Sequence, residues 1–225
     1  MPLYHPRDLL VVSILTGTQK GNATVFHNTT LRQTLHTSIG AARIRLQISN
    51  TFGLSALPIT AASLALPLDG AAGVGEIEDG TAVALTFDGG SSCVTIPAGE
   101  IAYTDAIDFE VGSQANLAVD LHLADGQQGA DITGHPGSRT TSWMQRGDLV
   151  GSPAVTELGL EHWYFLSALE AWAPPTTAVL VVLGDSITDG RGSDDNGNNR
   201  YDVSPKSPYV NLQYPLTYPE AGPTY

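Results

Sequence analysis

Apolar side chains recur at every second position through much of the chain. Ile44, Leu46 and Ile48 alternate with Arg43, Arg45 and Gln47; Val83, Leu85 and Phe87 alternate with Ala84 and Thr86; Leu117, Val119, Leu121 and Leu123 alternate with Ala118, Asp120, His122 and Ala124. Successive side chains of a strand point to opposite faces, so this period of two predicts half-buried β-strands. The turn clusters "NTFG", "LDGAAGVG", "DGGSS", "PAGE" and "ADGQQGAD" separate them at intervals that suit a two-sheet antiparallel sandwich. One stretch stays open between helix and strand: in "HWYFLSALEAW", His162 to Trp172, Leu, Ala and Glu favour helix while Trp, Tyr and Phe favour strand.

The pattern changes after Trp172. Pro174 and Pro175 punctuate the chain, and Ala178 to Leu183 follows as an apolar run without alternation, the signature of a strand covered on both faces, as in a parallel sheet. That run leads into a Gly184-Asp185-Ser186 turn. The chain therefore divides into an N-terminal segment (1–29), a β-sandwich (30–173), the start of a second domain (174–201) and an irregular tail (202–225). Five prolines in the tail oppose any helix interior.

Composition narrows the partners. Ten Lys and Arg against 23 Asp and Glu give a net charge of −13, which repels phosphate backbones and anionic lipid, so no nucleic-acid partner is expected. No apolar run approaches the roughly 18–20 residues of a membrane span. The single cysteine, Cys93, cannot form an intramolecular disulfide or a Cys-rich zinc site and is read as an ordinary strand residue. The apolar stretch Leu9 to Leu15 suits a degraded signal peptide and a first strand equally, which leaves the compartment open with an extracellular location as one alternative. In a secreted chain the sequons at Asn22 and Asn28 would be glycosylation acceptors. "DDNGNN", Asp194 to Asn199, lacks the EF-hand glycine and distal Glu and is read as a solvated loop; no metal and no cofactor is expected.

"VVLGDSITDGRGS", Val181 to Ser193, closely resembles the first sequence block of the GDSL, or SGNH, hydrolases. The upstream segments "TLRQTLHTSIGAARIRLQISNTFG", "LPITAASLAL", "VTIPAGE", "GHPGSRTTSW" and "HWYFLSALEAW" resemble, in order, the β-sandwich that precedes that domain in a fungal and bacterial esterase-like subgroup. The likeness covers about Thr30 to Arg200. It implies an ester hydrolase acting on small-molecule or carbohydrate esters, acyl or acetyl, with Ser186 as nucleophile and the Gly184-Asp185-Ser186 turn supplying one part of the oxyanion hole. The turn is not the G-x-S-x-G elbow of α/β-hydrolases, since Thr188 stands where that pattern needs glycine.

The same resemblance calls for a Gly and an Asn from two later blocks and a His base preceded closely by an Asp. None of those blocks has a match here: 39 residues follow Ser186, and His5, His27, His36, His122, His135 and His162 all precede it. A serine hydroxyl is a weak nucleophile without a positioned base, and the developing oxyanion needs donors already aimed at it. The expected fold is therefore mainly β: an antiparallel sandwich followed by only the first strand and turn of an incomplete α/β SGNH domain, as in a truncated or misjoined product or a short isoform. The alternative is a noncatalytic sandwich that binds a glycan or another partner.

Further residues carry two readings each. His135, in "GHPGSRTTSW", could act as a base from the sandwich, or serve as a turn residue that supports the contact between domains. Asp120 and His122, two apart on one strand, read as a solvated pair. Trp143, Trp163, Tyr164 and Trp172 could form a sugar-stacking platform or belong to the core. The open apolar run Ala178 to Leu183 leads to the expectation that a chain ending near Pro174 is at least as heat-stable as the whole.

Overall fold

The computed structural model describes residues 9–11, 16–18, 24–129, 131–174, 176–177, 185–187 and 189–199. Every strand pairing among them is antiparallel. One sheet sets Leu9–Val11, Leu166–Ala171 and Ala41–Ser49 side by side, with Ile101–Tyr103 and Ile107–Val111 sharing the far edge of Ala41–Ser49. The other runs Leu158–Leu160, Ser142–Arg146, Thr29–His36, Asn116–Leu123, Ala61–Ala65 and Val83–Ala84. Smaller pairings attach to these two, among them Trp163–Tyr164 against Asp131–His135. The predicted run Ala178 to Leu183, Gly184, Thr188, Asn22 and the tail 202–225 lie outside the described residues.

The core lies between the two sheets and draws on both. Ile44, Leu46 and Ile48 face inward from one, and Leu31, Leu64, Leu117, Val119 and Leu121 enter the same cluster from the other. Each fully buried aliphatic side chain of this kind contributes about 1.5–3 kcal/mol relative to exposure. On Ala41–Ser49 the alternation is as the sequence predicts. The opposite face carries Arg43, Arg45 and Gln47, and Arg45 pairs with Glu170 on the neighbouring strand.

Asn116–Leu123 departs from the half-buried expectation, because it is buried on both faces. Its outward residues, Ala118, Asp120 and His122, lie beneath loops at residues 66–82 and 147–156. There Ala65, Ile77 and Ala118 form a second small apolar cluster. Asp120 and His122 are 2% and 5% exposed, so the solvated-pair reading is corrected. Asp120 instead receives the fully buried Arg32 directly across the register, with Nε to Oδ1 at 2.7 Å and Nη2 to Oδ2 at 2.8 Å. The Ser63 hydroxyl and the Gly151 amide donate to the same carboxylate, while Arg32 donates to the Gly75 and Ser152 carbonyls. Every strong polar group of this pair is thus satisfied, which is the condition for burying charge at all. The pair also ties both covering loops to the sheet.

The ambiguous stretch from His162 to Trp172 forms two strands rather than a helix. It is split into Trp163–Tyr164 and Leu166–Ala171 by Phe165, whose φ of 60° breaks the extended run and seats its ring in the core at 1% exposure. Tertiary burial, rather than local propensity, decides the segment. Among the described residues no helix is long and apolar enough to cross a membrane.

Candidate functional site

The Asp-Ser turn has a local logic that its sequence supplies. The Asp185 side chain accepts a hydrogen bond from the Ile187 amide at 2.9 Å, a self-capping turn of the kind short Asx side chains favour. The Asp189 amide then donates to the Asp185 carbonyl, Gly190 to Ile187, and Arg191 to the Ser186 carbonyl, at 2.8–3.0 Å. Gly190 and Gly192 continue the coil at φ of 88° and 94°, left-handed conformations that glycine adopts without a steric cost. The result is a tight knot of chain with Ser186 half-buried, Asp185 exposed and Ile187 79% exposed. Among the described residues, no histidine or carboxylate is hydrogen-bonded to the Ser186 hydroxyl.

This knot is docked on the sandwich. His135, at the end of strand Asp131–His135, brings Nε2 to 2.9 Å from Asp189 Oδ2, with the two side chains 3% and 14% exposed. The contact has the distance of an ion pair without the alignment of a hydrogen bond. His162 lies beside it. Burial, followed by the positive charge of His135, pushes the His162 ring below its ordinary value. His162 stacks on Tyr164 with ring centroids 4.5 Å apart, and burial pushes the Tyr164 hydroxyl up to about 12.

The loop Asp194 to Asn199 is docked as well, while five of its six residues stay exposed, as the solvated-loop reading expects. Asn196 accepts from the Thr141 amide and donates to the Thr141 hydroxyl, and its own amide reaches the Arg139 carbonyl. The Arg139 guanidinium holds the Ser193 carbonyl and lies 3.1 Å from Asp195. Farther along, Asn198 donates to Asn116, at the end of the sheet, and contacts His36. Gly73, at φ 68°, makes room: a Cβ there would collide with the Asn196 carboxamide. Asp194, Asp195 and Asn199 keep their exposure, and among the described residues no group of three or more His, Cys, Asp or Glu is arranged to hold a metal.

The four candidate stacking residues are engaged in packing. A Cβ at Gly75 or Gly159 would come within 3.1 Å of the Trp143 ring, whose Nε1 donates to the Gly73 carbonyl. Trp163 packs against the core and Tyr164 belongs to it. The guanidinium groups of Arg43 and Arg45 lie 5.7 and 6.0 Å from the Trp172 ring, and that of Arg45 sits 4.4 Å over Tyr103. Cys93 is exposed. Asn28 is exposed on a tight turn at φ 46°, while the Thr30 hydroxyl of its sequon is turned inward to the Gly147 carbonyl.

Sequence reasoning picked out Ser186 and His135 but not Asp189, the residue that joins them. It also missed Arg32, which stands in a strand with only two apolar residues, Leu31 and Leu35. No protein-family model matches the chain, and no curated protein matches it in sequence.

The burial of His162, and after it the closeness of His135, has a measurable consequence. The unfolded chain binds a proton at His162 near the ordinary value of 6.5, and the folded protein does so only at lower pH. Between those two values the unfolded state holds more protons, so stability falls as pH drops through about 6.5 and levels off below the folded value. The His162→Gln variant should therefore lose less melting temperature than the parent on going from pH 7 to pH 5. Equal slopes for the two proteins would remove His162 as the cause.

Proposed function

We propose that this chain carries the nucleophile turn of a GDSL/SGNH-type ester hydrolase on a β-sandwich, with Ser186 as the nucleophile toward acyl or acetyl esters, carbohydrate esters among them. The observation that carries the reading is the Gly184-Asp185-Ser186 block following sandwich segments in the order of that subgroup. The self-capped turn at Asp185 and its docking on the sandwich are in keeping with it, since a nucleophile must be held in place to react. In this reading the amides around Ser186 contribute to the oxyanion hole. The general base and the remaining donors have no counterpart among these 225 residues.

The candidate base His135 has its Nε2 turned to Asp189. Residues 1–225 should therefore hydrolyse an activated acetyl ester no faster than their Ser186→Ala variant. A clear excess of the parent over the variant would transfer the base role to an upstream histidine, His135 first. Reading the coding sequence past Tyr225 separates the enzyme from the noncatalytic alternative: an in-frame Gly, Gly-x-Asn-Asp and Asp-x-x-His series supports the hydrolase, and its absence favours a binding sandwich. The glycan-platform form of that alternative has little support, because the rings of Trp143, Trp163, Tyr164 and Trp172 are all in contact with protein groups.

A further inference from the structure

We infer that His135 is a positioning residue, which fixes the Asp185-Ser186-Ile187 turn to the sandwich by holding Asp189. The connection is short and mechanical. Asp189 is tied through its backbone amide to the Asp185 carbonyl, so the residue gripped by His135 closes the turn on which Ser186 sits. His135 is itself immobilised: its strand pairs it with Trp163, and its side chain is 3% exposed. Among the described residues, Asp189 from the docked turn and His162 from the bend ahead of Trp163–Tyr164 are the titratable groups that face it.

Burial gives the contact its weight. An exposed ion pair holds little, but a buried group left without its counter-charge is strongly unfavourable, so loss of either partner should release the turn. Among the described residues, the Arg139 and Asn196 contacts act elsewhere along the chain. Arg139 and Asn196 grip the chain at Ser193 and beyond, on the far side of Gly190 and Gly192 from Ser186. The positioning of Ser186 for chemistry rests on the ester-hydrolase reading, whereas the clasp itself does not.

The test is trypsin cleavage after Arg191, which is exposed and lies two residues beyond Asp189. In the full chain, His135→Gln and Asp189→Asn should each speed appearance of the fragment ending at Arg191 by about tenfold, through easier local opening. The melting temperature should shift by less than about 3 °C, as befits a local release. The double variant should be cleaved no faster than either single one, and Asp189→Glu should recover part of the protection. Unchanged cleavage in both single variants, or effects that multiply in the double, would overturn the clasp. Where His135→Gln fails to fold, Asp189→Asn, on the docked segment, decides alone. Because the assay needs no catalysis, its outcome is independent of whether Ser186 hydrolyses esters.

Discussion

Asp120→Ala should lower the melting temperature by about 10 °C or leave the chain unable to fold, since removing one member of a buried ion pair costs about 3–5 kcal/mol. The variant would leave the Arg32 guanidinium, 0% exposed, facing two carbonyls with no counter-charge, and would deprive Ser63 and the Gly151 amide of their acceptor. Arg32→Met alone should be about as harmful, because it strands the carboxylate. The paired replacement Arg32→Met with Asp120→Leu should fall well short of the sum, since it removes both charges and returns apolar volume to the site. Thermal unfolding of the parent, Asp120→Leu, Arg32→Met and the paired variant measures the cycle. Strict additivity would mean that the pair is two independent contacts rather than one pin.

That pin also shows where the sequence stops being readable. Alternation in Ala41–Ser49 is legible because one face meets the core and the other meets water or charged neighbours. In Asn116–Leu123 the same alternation appears, yet the polar positions are buried too. Nothing local separates a solvated Asp120 from one opposite Arg32, 88 residues away. Phe165 is a similar case. Its left-handed backbone, rather than any propensity in "HWYFLSALEAW", divides that stretch into two strands. At the site, the Asp-Ser turn is legible from short-range chemistry alone, as the Asp185 cap confirms for its geometry. Its attachment is not, because Asp189, Arg139, Asn196 and Asn198 find partners that only the fold brings near.

The docking of 185–199 argues against one expectation drawn from the sequence. The apolar run Ala178 to Leu183 suggested that a chain ending near Pro174 would be at least as stable as the whole; that run lies outside the described residues, and the segment beyond it is docked on the sandwich. Deleting Pro175 to Tyr225 removes the Asp189 carboxylate from buried His135 and the Asn196 carboxamide from Thr141. It also removes the backbone acceptor of Arg139 at Ser193 and the Asn198 bridge to Asn116 and His36. Water can replace most of these partners, so each contact contributes only about 0.5–1.5 kcal/mol net, and His135 adds the penalty of a buried group left alone. The shortened chain should accordingly melt about 5–10 °C below the parent, a loss of a few kcal/mol for a protein of this size. Asn196→Ala in the full chain should reproduce a minor part of that loss, since it cuts two bonds and opens the space over Gly73. If the shortened chain melts at or above the parent temperature, the turn and its loop rest on the sandwich without stabilising it, and the hold on Ser186 would have to come from outside residues 185–199.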